Sequence, residues 1–170
     1  RIRVLEARQR QVAHYQAQRY EAIAAVVDAL REEFEEGPFV DQAAVAGSAE
    51  VAAALRMTRQ RAEGEVSFAL EMQGRLPRVW RALRTGSIDV HRAKALVDET
   101  LHLSIGAARE VIDTIIDDAA LLTTGQLRAR LRKLCIQVDP DEAAERYRSA
   151  VEERRVTVEA NTDGTATMHA

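Results

Sequence analysis

One cysteine in 170 residues, Cys135, leaves no partner for a disulfide and no second thiolate for a zinc knuckle. Neither an oxidising compartment nor a structural metal is implied, and cytoplasmic residence is the default expectation. Aromatic residues make up 4% of the chain, and no apolar run approaches the roughly 18 residues that cross a bilayer, so no membrane partner is expected. Proline and glycine are scarce, at three and eight residues, which excludes collagen-like and turn-rich classes and leaves long uninterrupted stretches for regular structure. Lysine is almost missing: Lys94 and Lys133 are two of 24 basic residues, and the others are arginine. The start, Arg1-Ile2-Arg3-Val4-Leu5, has no initiator Met and no signal-peptide pattern, so the chain reads as a piece of a longer protein. A net charge of −3 lacks the positive excess of a dedicated nonspecific nucleic-acid binder, so any contact with DNA must rest on local charge.

What is present is globular in composition, 46% hydrophobic and 30% charged, and of single-domain length. Apolar residues recur three and four apart, which predicts a mainly α fold: a multi-helix bundle with a long N-terminal helix, a helix-turn-helix-like core and a short C-terminal β-hairpin. The long helix falls within residues 1–37, carries Leu5, Val12, Tyr15, Ile23, Val26, Val27, Leu30 and Phe34, and stops at Gly37-Pro38. Its stripe is neither a strict heptad nor one continuous face, so packing against its own domain and pairing with a second copy both stay open. In the core, residues 48–101, Ser48 is expected to cap a helix through Leu55, Thr58 one to about Gln73, and Asp89 one to about Leu101. Between the last two, Leu76-Pro77 opens a helix that Gly86 closes. In residues 104–153, Ser104 opens a helix through Leu121. Thr123 with Gln126 has capping-box spacing, and Asp139-Pro140-Asp141-Glu142 is a second such box. The helical domain thus spans 1–153. Residues 154–170 then change pattern: Val156-Thr157-Val158 alternates, Asn161-Thr162-Asp163-Gly164 is turn chemistry, and Thr165 to His169 returns. A lone hairpin is marginal, so more sheet or a further domain is expected beyond it.

Chemistry concentrates in Glu50 to Arg61, whose pattern is a helix, a short turn and a capped second helix. Ala52 to Ala54 would let the two helices approach closely. Thr58, Arg59, Gln60 and Arg61 would stand on the first turn of the second helix, where Arg can pair with guanine, Gln with adenine, and free amides with phosphate. Arg56, Arg75 and Arg78 are candidate phosphate contacts. From Arg56 to Arg92 there are eight arginines against four acids, whereas from Tyr20 to Glu50 there are eight acids against Arg31. Gly64, inside the second helix, suits close packing as well as close approach to DNA. The four histidines are scattered without metal-ligand spacing, and no cofactor or metal is assigned. Cys135 reads as a buried small hydrophobe, Asp113, Asp117 and Asp118 as a solvated face, and Trp80 as a core anchor.

Two resemblances follow from these residues. From Val51 to Leu96 the series Val51-Ala52, Leu55, Thr58-Arg59, Leu76-Pro77, Gly86-Ser87-Ile88, Ala93 and Leu96 is similar to the helix-turn-helix core of ParB-type partition proteins, with Arg92 where a His would precede Ala93. Over nearly the whole chain the sequence resembles the actinobacterial family 222 of domains of unknown function, also called the 13E12 repeat family. The matching residues are Leu76-Pro77 through Leu83, Gly86 and Ile88, Thr123 to Arg128, Val138 to Asp141, Arg154 to Val158, and Asp163-Gly164. The second resemblance implies that full-length members often carry a C-terminal HNH nuclease domain. No such motif lies in these residues, so no catalytic role falls on any of them.

The expectation is therefore a helical module that binds or targets double-stranded DNA, associated with an HNH endonuclease and without catalysis of its own. The alternative is an interaction or dimerisation scaffold in which the N-terminal helix pairs two copies and the Arg-rich surface meets acids such as Glu32 to Glu36. A third reading has the acidic helix shielding the basic face until DNA arrives.

Overall fold

The computed structural model describes residues 1–34, 42–152 and 157–169. Among them are eight α-helices followed by a two-stranded antiparallel hairpin. Helix α1 (Ile2–Phe34) has 33 residues, about 50 Å at 1.5 Å per residue. The expected stop at Gly37-Pro38 lies outside the described residues. No described helix is long and apolar enough to cross a membrane.

Helix α1 is the spine of the first half. Ala13, Ala17, Tyr20, Ala24 and Val27 step by four, three, four and three along one face and are buried against α2 (Ala43–Leu55), α3 (Arg59–Leu70) and α4 (Pro77–Thr85). Two glycines set how closely these helices approach. A Cβ on Gly47 of α2 would come within 2.7 Å of Val27 Cγ2. Gly86, at the end of α4, has φ of 74°, and a Cβ there would lie 2.9 Å from the backbone of Arg10. Beside it, His14 Nδ1 donates to the Arg84 carbonyl over 2.8 Å. Tight approach of α1 and α2 is therefore made at Gly47. Of the Ala52 to Ala54 stretch, expected to let α3 come close to α2, Ala52 is half-buried while Ala53 and Ala54 are exposed.

Three helix limits differ from expectation, each for a local reason. Helix α2 begins at Ala43 instead of at Ser48, because nothing in the Ala-rich run before it breaks a helix; Ser48 is buried inside it and donates to the Ala44 carbonyl over 2.7 Å. Helix α3 ends at Leu70 and passes into a π-helical turn, Glu71–Arg75, which lets Leu76 reach the Glu71 carbonyl over 3.1 Å before Pro77 starts α4. Helix α6 (Ile105–Ile115), capped by Ser104 as expected, stops short of Leu121; a short 3₁₀ turn, Ala119–Leu121, follows. The Arg92 guanidinium draws the carbonyls of Ala119 and Leu122 to itself at 3.1 and 2.9 Å, which turns this link away from the helical ladder.

The second half packs α5 (Val90–Thr100) against α6 and α7 (Thr124–Val138), with α8 (Pro140–Glu152) on α7. Asp89 caps α5 by accepting from the Arg92 amide at 2.9 Å, and both halves of the Thr123 and Gln126 capping box are formed. Pro140 opens α8, while the Glu142 part of the second box lies outside the described side chains. Leu96, Ile112, Ile115, Leu127 and Leu131 fill this half of one continuous core. Trp80 is only half-buried on the outside of that core; its neighbours Val79 and Leu83, fully buried, are the anchors of α4. Strands β1 (Thr157–Ala160) and β2 (Ala166–His169) pair Thr157 with His169 and Val158 with Met168, closed by the Asn161 to Thr165 turn as expected.

Replacing Gly86 by Ala meets both a left-handed backbone and the Arg10 main chain. It is expected to cost about 2 kcal/mol and to release the first three turns of α1. Calorimetry with amide exchange on residues 2–12 checks this; an unchanged melting temperature would contradict it.

Candidate nucleic-acid interface

The α2–α3 pair is joined by three residues. Helix α2 closes at Arg56, which takes the left-handed conformation, φ 50° and ψ 47°, usually left to glycine. Its amide donates to the Ala52 and Ala53 carbonyls, and the Met57 amide to Ala52 over 3.0 Å, so the end of α2 is sealed. Met57 tucks its side chain against the core. Thr58 is extended and its hydroxyl accepts from the Arg61 amide at 3.4 Å, which starts α3 where the Thr signal placed it.

Ala62, Glu65, Val66, Phe68 and Ala69 are the buried face of α3. The opposite face therefore carries Arg59, Gln60, Arg61 and Glu63 outward, and Gly64 and Ser67 below them. A Cβ on Gly64 would meet nothing within 4 Å, so internal packing does not account for this glycine. Arg59 is 67% exposed and pairs with Glu63 one turn on at 2.9 Å, a contact worth little in water. Among the described residues, Arg56 and Arg61 have no acidic partner. Four of the seven expected contact residues, together with Thr58 as the cap, are thus brought to one exposed helix start.

The other two are placed elsewhere. The Arg75 side chain is 10% exposed; its guanidinium donates to the Thr100 carbonyl at 2.7 Å and to that of Leu103, with Glu71 at 3.5 Å. Arg78 lies on α4 and pairs with Asp113 at 2.9 Å and Asp117 at 3.7 Å. Arg92 of the same basic segment is also held internally, by Asp89, Ala119 and Leu122. The charge excess counted along the chain is therefore smaller on the surface, where Arg56, Arg59, Arg61, Arg81 and Arg84 remain. No described ion pair joins Glu32 or Glu33 to this segment.

What holds α3 at this angle was missed in the sequence. Glu65 is 8% exposed, and its carboxylate accepts from Lys94 Nζ at 2.9 Å, from the Tyr20 hydroxyl at 2.9 Å and from Arg19. Three helices, α1, α3 and α5, meet on one acid. The Phe68 ring stacks edge-on against Tyr20 with centroids 4.8 Å apart, and Lys94 sits over it. Burial alone would push the Glu65 carboxyl up; the hydrogen bonds from Lys94 and Tyr20 and the charges of Lys94 and Arg19 outweigh it and hold it below the ordinary range. Burial and the same carboxylate push the Tyr20 phenol above its usual value. The available signal was an acid at position 65 on a face otherwise made of Ala62, Val66 and Ala69. Elsewhere Cys135 is buried, as read, its thiol donating to the Glu99 carbonyl at 3.4 Å and pushed up by burial. Of the three acids read as a solvated face, Asp113 and Asp117 are exposed, while Asp118 is half-buried and pairs with Arg130 at 2.9 Å.

Residues 7–170 match the sequence model of the family described as a domain of unknown function (DUF222), and the chain belongs to that family. No curated protein and no solved structure matches it.

Two outcomes follow from this geometry. Arg56→Gly relieves the left-handed backbone and is expected to stabilise the fold by about 0.5–1 kcal/mol, read as a higher melting temperature; a lower one would contradict the cap assignment. Glu65→Gln is expected to cost about 1–3 kcal/mol at neutral pH. Because the folded carboxyl titrates below its unfolded value, its contribution is full at neutral pH and is lost as the pH falls through the folded value. Urea midpoints taken from about pH 5 downward should therefore converge for the two proteins, and parallel curves would contradict the buried ion pair.

Proposed function

We propose that this DUF222 chain is a DNA-binding or DNA-targeting helical module of an HNH-endonuclease-linked protein, with no catalytic step assigned to these residues. The observation that carries the reading is the cluster of Arg56, Arg59 and Arg61 around the exposed first turn of α3. The residues of that turn are exposed, and Thr58 caps it without adding an acid. In a major groove, Arg59, Gln60 and Arg61 would address base edges or phosphate, and Arg56 the adjoining phosphate. Exposed Gly64 would let the helix lie close to the backbone of the duplex. Arg78 would join only by exchanging Asp113 for a phosphate, and Arg75 acts by positioning α4 through the carbonyls it holds. The likeness to the ParB-type core, carried by Thr58-Arg59 and Leu76-Pro77, agrees with this placement.

A second reading, pairing of two copies through α1, is favoured by a separate observation: Leu5, Val12 and Tyr15 on that helix are 70%, 48% and 68% exposed.

Arg59→Ala combined with Arg61→Ala is expected to weaken duplex binding at least tenfold, in line with about 1–3 kcal/mol for each lost contact, while circular dichroism and melting temperature stay unchanged. Arg75→Ala should do the opposite, lowering the melting temperature. Unchanged anisotropy titrations for the double variant would remove the assignment.

A further inference from the structure

We infer that two copies of this chain pair antiparallel along α1, the basic first half of each helix seated in the groove between α1 and α2 of the other. The inference rests on the second reading above and adds the arrangement to it. Three and four residues apart on one side of α1 stand Leu5, Arg8, Val12 and Tyr15 in the first half and, continuing the same spacing, Ala22, Val26 and Ala29 in the second. This line runs beside the buried face that starts at Ala13, and the two together explain why the sequence shows neither one heptad nor one stripe.

In the first half of the line Val12 and Tyr15 are exposed, and Leu5, exposed as well, stands at the edge of a hollow that α1 forms with Gly86 and Ile88. The second half is one wall of a groove, two adjoining hollows of about 290 and 460 Å³ that share Ala22, Val26 and Glu50. Its other wall is Ala54 and Leu55 of α2, and Leu55 is itself exposed. Small residues make the groove shallow enough for a helix to lie close, while Leu5 and Val12 are the apolar groups that lack cover.

Charge selects the occupant and its direction. Residues 1–12 carry Arg1, Arg3, Arg8 and Arg10 against Glu6, whereas residues 20–33 carry Glu21, Asp28, Glu32 and Glu33 against Arg31. A parallel pair would set like against like along its whole length. An antiparallel pair sets each basic end against an acidic one twice, once on each side of a two-fold axis. Arg19, near the midpoint, is already neutralised by Glu65, so the crossing point holds no bare charge. Arg8 donates only to Gln11, and Glu33 has no ion pair among the described residues.

The test uses the 170-residue chain. Sedimentation over a concentration series is expected to show a dimer that Arg8→Glu weakens at least tenfold and that adding Glu33→Arg to the same chain restores. Orientation is read separately by mixing Val12→Cys and Ala29→Cys chains, which face each other in the register that sets Arg8 against Glu33, under mild oxidation, with Cys135 buried and out of reach. The mixture should form a linked dimer and neither variant alone should link to itself. A monomer at every concentration overturns both the two-copy reading and this arrangement. A dimer that ignores the charge reversal, or that links in any other pattern, keeps the two-copy reading and overturns the arrangement.

Discussion

A carboxylate taken out of water is expensive unless donors meet its oxygens, and Glu65 finds three: Lys94 of α5, Tyr20 of α1 and Arg19 of α1. Each donor comes from a helix that the others would otherwise be free to slide past, so the cluster fixes the rotation of α3 about its own axis. With Glu65 inward, Arg59, Gln60 and Arg61 must face outward. Hydrophobic burial by Val66, Phe68 and Ala69 would tolerate a few degrees of slip; an ion with three directional partners does not. The exposed start of α3 is in this sense a consequence of what its middle buries.

Arginine does two jobs in this fold, and net charge does not distinguish them. Arg75, Arg92 and Arg109 bridge turns by donating to loop carbonyls, at Thr100, Leu122 and Arg75 respectively. Each satisfies main-chain acceptors that a helix end or a π-helical turn leaves open. A guanidinium, with five donors in a fixed plane, suits this work better than an ammonium, which gives the near-absence of lysine a structural use. Arg128 and Arg132 similarly clamp Glu99 between α7 and α5. The arginines left over, Arg56, Arg59 and Arg61 among them, stand exposed to solvent.

Caps were legible because they are local: Thr58, Asp89, Ser104 and Thr123 each accept from an amide three residues on, and Gly86 takes the left-handed turn its position suggested. The hairpin was legible from the same kind of signal. Helix ends set by tertiary contacts were not, as the π-helical turn at Glu71–Arg75 and the turn drawn out by Arg92 show. Of the candidate site, the first turn of α3 follows from the Thr58 cap and the spacing of its apolar face. The diversion of Arg75 and Arg78 into the fold does not, because their partners lie 25 and 35 residues away in sequence. Glu65 escaped for the same reason, since its donors come from residues 19, 20 and 94.

The central claim, that the start of α3 meets nucleic acid, is tested most directly by the affinity of the unmodified chain for a labelled duplex across a salt series. Neutralising three or four phosphates per chain predicts a log–log slope of about −2.7 to −3.6. No binding at low salt, or an affinity that salt does not change, would contradict it.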